Sequence, residues 1–399
     1  MKKNIFIVFS LIIFYTISLN KCNAQWVQMP NGLGTTKDIL RFAVIGNNIL
    51  AGGEGGLYLT TNNGNNWNNV APNIPAAQSF AIIGNIIFAG NESGVHLSTN
   101  GGINWSQTSF NYFTMSLTSI SNYLFAGTLS NGLHYSTNNG TNWNVLIPSL
   151  PTIFGLATSG SNIVMGLSAT SGIQYSSNFG ANWIYTNINN NTIYKLDAFG
   201  NNVFAITDYY GAYLSTNNGA NFGGIYGNNA NAFTMHDSNI FVGTTNSGVY
   251  LSTNMGMNWT QKNQGFGTGL ILIRDMCISN NYIFAAWMNK SVWRRSYPEI
   301  LMGIRNISSQ IPTLFSLKQN YPNPFNPITK IQFDVMKTEN VKITVFDIAG
   351  KELEVLVDKR MQPGTYEVEW SGEKYASGIY FYRMQAGDYV ETRKMVLMK

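Results

Sequence analysis

Short apolar runs alternate with polar, glycine-bearing turns along most of this chain, and the alternation has a long period. An apolar pair followed by two small residues occurs as Ile87-Phe88-Ala89-Gly90 and Leu124-Phe125-Ala126-Gly127, with related versions at 49–52, 163–166, 203–206, 240–243 and 283–286. Each of the first six leads into a polar turn that ends on an aromatic ring. The turns run from Thr60 through Asn62 and Gly64 to Trp67, and from Ser98 through Asn100 and Gly102 to Trp105. Ser136, Asn138, Gly140 and Trp143 form the third; Ser176, Asn178, Gly180 and Trp183 the fourth. The last two are Ser215, Asn217, Gly219 and Phe222, then Ser252, Asn254, Gly256 and Trp259. Successive aromatic ends lie 38, 38, 40, 39 and 37 residues apart. A period near 40 in a strand-rich chain predicts propeller blades.

The residue types explain the turns. Ser, Thr and Asn side chains bond nearby backbone and hold a tight turn. Glycine supplies a positive φ without a Cβ penalty. The aromatic ring opens the next strand and fills the gap between blades, so Trp143→Ala is expected to cost about 3–5 kcal/mol. There are seven apolar-small motifs but six turns. The seventh motif leads into 291–296, which lacks a turn and an aromatic strand, while Gln25-Trp26-Val27 looks like an aromatic strand without a blade. Trp26 is therefore expected to complete a seventh blade and close the ring, which removes an exposed sheet edge.

From about residue 314 the pattern shifts to Lys and Glu alternating against apolar residues. Segments 341–346 and 366–370 have period two and predict half-buried strands. Ala349-Gly350, Pro363-Gly364 and Ser377-Gly378 mark turns between strands. The expected fold is all-β: a seven-bladed propeller over 25–298, an irregular linker over 299–313, and a small immunoglobulin-like β-sandwich over 314–399.

Composition agrees. Only 11% of residues are charged, well under the roughly 25% of an average soluble protein. Lys2 and Lys3 precede an apolar run from Ile5 to Leu19, and Cys22-Asn23-Ala24 follows, so 1–24 reads as a cleavable signal peptide. Its removal takes three lysines off the net charge of +5 and leaves +2, with no basic stripe to support nucleic-acid binding. Cys277 is then the one thiol, which excludes an intrachain disulfide and any cysteine-based metal site. His96, His134 and His236 lie in different repeats, without metal-ligand spacing. The sequence calls for no metal and no cofactor.

Two resemblances follow from these motifs. The Ser-Thr-Asn-x-Gly-x-Asn-Trp turns resemble Asp-box (BNR-type) repeats, with Asn where that motif usually carries Asp. The resemblance implies a propeller and little about activity, because the family spreads this structural turn over sialidases, other glycan-cleaving enzymes, sorting receptors and assembly factors. The tail resembles the type A C-terminal sorting domain of the Bacteroidetes type IX secretion system. It does so through Asn320-Tyr321-Pro322-Asn323-Pro324-Phe325-Asn326-Pro327, Phe346 to Gly350, Gly364 to Trp370, Ser377 to Tyr382 and the terminal Lys394 to Lys399. This implies that 314–399 engages the type IX machinery, and that the protein is secreted or held at the outer cell surface.

Candidate chemistry is sparse. The ring face opposite the turns is expected to carry Glu54, Glu92, Asp208, Tyr209, Tyr210 and Trp287, with Phe110, Tyr112, Tyr185 and Tyr226 on loops between blades. Aromatic and amide groups on such a face suit neutral sugars or peptides. The propeller region has four arginines, of which Arg294 and Arg295 are adjacent on a strand and point apart. A sialidase, as that resemblance implies it, needs a larger convergent set. Arg41 and Arg274 are expected at similar places near the start of the innermost strands of blades one and seven, accompanied by Asp38 and Asp275. They form either an anion site at the channel mouth or salt bridges locking the closure seam. The sequence favours a non-catalytic glycan-, peptide- or protein-binding module. The alternative is a secreted glycoside hydrolase, which needs two carboxyl groups about 5–9.5 Å apart.

Overall fold

The computed structural model describes residues 25–169, 171–208, 211–227, 229–302, 305–308, 310–372 and 375–399. The expected signal peptide lies outside the described residues. Between Val27 and Ser296 the strands form seven four-stranded antiparallel sheets. Their innermost strands are Ile39–Ile45, Ser79–Ile83, Thr114–Ile120, Ile153–Ser159, Ile193–Phe199, Ala230–His236 and Ile273–Ser279. Each packs against the next, and the seventh packs against the first, so the sheets form a closed β-propeller.

Closure uses the first strand of the described residues. Val27–Gln28 is the outer strand of the last sheet, pairing Val27 with Arg294 and Gln28 with Trp293. Trp26 is 2% exposed. Its backbone N–H donates to the Gln264 carbonyl at 2.8 Å and its Nε1 to the Lys262 carbonyl at 2.6 Å. The indole stacks on Phe266 at 4.8 Å between centroids. Across the same seam Asn280 Nδ2 donates to the Asn47 carbonyl and to Asn63 Oδ1, and Arg294 reaches the turn at Asn63 and Asn65.

The repeated motifs have separate jobs. In all six turns the Ser or Thr hydroxyl donates to the side-chain Oδ1 of the Asn two residues on and accepts from the glycine N–H four residues on. In the third turn these distances are 3.0 and 2.9 Å. The second small residue of the apolar-small motif sits where the next blade comes closest. A Cβ on Gly166 would lie 2.5 Å from Ile193 Cγ2, and one on Gly243 2.6 Å from Ile273 Cγ2. Where this position is Ile206, the next blade presents Ala230, and the two share one buried cluster. Of the turn aromatics, Trp67 and Phe222 are buried at 2% and 6%, whereas Trp143 is only half-buried. The full core penalty expected for Trp143→Ala therefore belongs to Trp67 instead.

The tail is a sandwich. One sheet orders Arg305–Ser308, Gly364–Ser371, Ile328–Val335 and Ser316–Leu317; the other orders Glu352–Met361, Glu339–Phe346, Gly378–Ala386 and Tyr389–Leu397. Val341, Ile343 and Val345 turn inward against Phe333, Val368 and Trp370, as period two predicts. The Asn320 side-chain amide is buried at the Pro-rich opening, donating to Thr329 Oγ1 at 2.9 Å and the Pro322 carbonyl at 3.1 Å. The stretch expected to be an irregular linker differs. It carries the end of a short helix, Tyr297–Met302, and the edge strand Arg305–Ser308, whose pairing with Gly364–Ser371 draws it into the tail sheet.

Candidate functional site

The strand register shapes the axial channel. Six of the seven innermost strands skip one residue in their pairing: Ile39 pairs Gly53 and Arg41 pairs Gly52, leaving Leu40 unpaired. The same bulge falls at Met115, Phe154, Tyr194, Asn231 and Arg274. Arg274 is therefore level with Leu40, not with Arg41, which corrects the expected equivalence of the two arginines. The residues level with Arg41 are Ser79, Ser116, Gly155, Lys195, Ala232 and Asp275.

This level holds a buried ion pair that the sequence did not single out. Lys195 Nζ, on the fifth blade, contacts Asp275 Oδ1, on the seventh, and both side chains are at most 10% exposed. Burial pushes the Lys195 ammonium below its ordinary value, against the pull of Asp275. The other carboxylate oxygen, Asp275 Oδ2, accepts from the Phe42 backbone N–H at 2.7 Å. Phe42 lies on the exposed edge of the first inner strand, so Asp275 ties blades seven, one and five together. Other edge groups are covered in the same way. Asn231 Nδ2 donates to the Ile273 carbonyl at 2.7 Å, and Ser116 Oγ to the Ile153 carbonyl at 2.8 Å. At the mouth, Arg274 Nη2 meets Asp38 Oδ2 at 3.2 Å. Three of the four charged residues expected to cluster are thus paired as braces of the ring, and Arg41 stands apart from them.

The channel is a cavity of about 430 Å3 to which all seven inner strands contribute. Arg41, Lys195 and Asp275 line it at one level, then Phe42, Phe80, Leu117, Leu156, Leu196 and Met276, then Asp197 and Cys277. Cys277 is buried, and burial raises its thiol well above the ordinary value, so it is held neutral. Among the described residues no three His, Cys, Asp or Glu side chains gather as a metal site.

The remaining candidates divide. Glu54 and Glu92, both exposed, line one hollow of about 240 Å3 between blades one and two. Asp208 lines a second, of about 580 Å3, with Tyr194, Asn229, Asn231 and Thr245. Tyr209 and Tyr210 lie outside the described residues. Trp287 was expected on the open face but is 6% exposed. It ends a second strand, opposite Ile273, and packs edge-on against Phe266 and tilted against Trp293, both at 5.4 Å. Phe110 is likewise buried, between His134 and Trp143, whereas Tyr112 and Tyr185 are exposed. Tyr194, half exposed beside Phe154, was missed because its position on a bulge has no signature in a single strand.

Comparison with known proteins places both halves of the chain. Residues 319–398 match the family described as the secretion system C-terminal sorting domain. No curated protein matches the chain. Among solved structures, YCF48 bound to D1 peptide is similar with a TM-score of 0.55 at 16% identity, over 68% of this chain and 96% of that one. YCF48 from Cyanidioschyzon merolae is similar with a TM-score of 0.56 at 15% identity, over 69% and 99%. At such identities the likeness is one of fold, a β-propeller. The sorting domain indicates delivery to the cell surface or the exterior, through a secretion system that handles this tail. No helix among the described residues is long and apolar enough to cross a membrane.

Proposed function

We propose that this chain is a type IX-exported, non-catalytic binding protein that holds a glycan, peptide or protein on the propeller face opposite the repeated turns. The observation that carries the reading is how the charged groups are used. Lys195, Asp275, Arg274 and Asp38 serve the ring itself, while the hollows set exposed Tyr194 beside Asp208, Asn229 and Asn231, and Glu54 with Glu92. Aromatic platforms with a few polar groups suit binding of neutral surfaces. In each turn the Ser or Thr hydroxyl bonds the Asn side chain and the glycine N–H, which supports a structural role for the turns. The likeness in fold to YCF48, solved with a bound peptide, is compatible with a peptide occupant.

The test is a glycan array and a peptide array probed with the exported chain. Binding that weakens at least tenfold on Tyr194→Ala or Asp208→Asn supports the reading; binding unchanged by substitutions anywhere on this face overturns it. A second reading rests on Glu54 and Glu92, which share one hollow and would be the acid and base of a glycoside hydrolase. Release of new reducing ends that vanishes in Glu54→Gln or Glu92→Gln would establish it.

A further inference from the structure

The axial channel carries two opposite charges that stand outside any ion pair among the described residues. Arg41 donates from Nη1 to the carbonyl of its own neighbour Leu40 at 2.8 Å, and among the described residues no carboxylate lies within ion-pair distance of it. Asp197 accepts from the N–H of its own neighbour Ala198 at 2.9 Å, is exposed to the lumen, and has no cation within ion-pair distance among the described residues. Both line the same cavity of about 430 Å3, within the range of small-molecule sites. Lys195 and Asp275 pair with each other; burial raises the Asp197 carboxyl against the pull of Lys195 and Arg41, and Arg41 and Asp197 are the two lining charges outside an ion pair.

Their arrangement sets the occupant's shape. Arg41 is level with Lys195, and Asp197 lies two positions further along the Lys195 strand. Two strand positions correspond to about 6.6 Å along the axis. Between the two levels lie Phe42 and Phe80, half-buried, and Leu117, Leu156, Leu196 and Met276, each at most 6% exposed. An occupant that satisfies all three levels has a carboxylate, an apolar middle and an ammonium. One amino acid spans at most about 3.5 Å, too little to place its charges at both levels, whereas two extended residues span roughly 6.6–7.2 Å.

We propose that the axial channel binds a short zwitterionic peptide, a dipeptide of apolar residues, with its carboxylate on Arg41 and its ammonium on Asp197. The site is separate from the loop-face hollows and does not depend on what they hold. Desolvated, charge-assisted hydrogen bonds at the two ends give selectivity, and the belt between them accepts small apolar side chains.

Isothermal titration with leucyl-alanine, N-acetyl-leucyl-alanine, leucyl-alanine amide and free leucine tests this. Leucyl-alanine is expected to bind, with each capped form and free leucine weaker by roughly tenfold or more. Arg41→Gln and Asp197→Asn are each expected to weaken leucyl-alanine by a similar factor. Asp197 makes no hydrogen bond between blades and Asn keeps its shape, so Asp197→Asn, with its melt recorded beside wild type, remains decisive even if Arg41→Gln loosens the ring. No binding of leucyl-alanine at millimolar concentration, equal binding of the capped forms, or an Asp197→Asn variant of unchanged affinity overturns the proposal.

Discussion

Single residues decide whether neighbouring blades fit. Gly166 has no room for a side chain, since a Cβ would lie 2.5 Å from Ile193 Cγ2 and 2.9 Å from Ile193 Cβ. Gly166→Ala is expected to destabilise by about 1–3 kcal/mol, as overpacking does, and urea unfolding would measure it. Asp275 carries a larger share. Removing it leaves the Lys195 ammonium buried without its partner and the Phe42 N–H without an acceptor. Asp275→Ala should therefore cost about 3–5 kcal/mol. Two buried histidines add a pH dependence. Burial lowers the pKa of His96 and of His134 from the ordinary 6.5, although the Asn131 carbonyl pulls His134 the other way. The unfolded chain takes up these protons first. Their contribution to stability is therefore complete above about 6.5 and is lost as pH falls below it. Melting temperatures across that interval should drop on acidification, less so in a His96→Gln, His134→Gln double variant.

At the scale of the element, the turn is the repeating device. Asn138 Oδ1 accepts from both Ser136 Oγ and the Asn142 N–H, so Asn138→Ala should cost about 1–2 kcal/mol. An aspartate there keeps both acceptor positions and should be tolerated. These turns were legible because each needs the same side-chain oxygens and the same positive-φ glycine, which leaves a spelled-out repeat. The closing strand was legible as the one aromatic strand without a blade. The bulge was not. A skipped residue such as Leu40 changes no hydrophobic pattern, yet it moves Arg274 one level away from Arg41. Lys195 was passed over because a lone lysine in a strand reads as solvated; only the closed ring brings Asp275 across to it. Trp287 was misplaced because a strand end and a loop start look alike without the pairing partner Ile273.

As a whole molecule, the protein is a ring closed by the strand Val27–Gln28 and followed by a tail that a secretion system sorts. Trp26→Ala should cost about 3–5 kcal/mol and loosen the pairing of Val27–Gln28 first, which hydrogen exchange at Arg294 would register. The same closure commits Lys195, Asp275, Arg274 and Asp38 to holding the ring together, which supports the proposed binding role. The most direct test incubates the exported chain with a panel of polysaccharides and measures retention and new reducing ends in the same samples. Retention of ligand on the loop face with no reducing ends above background is the expected result. Reducing ends that accumulate with time, and disappear in Glu54→Gln or Glu92→Gln, would contradict it.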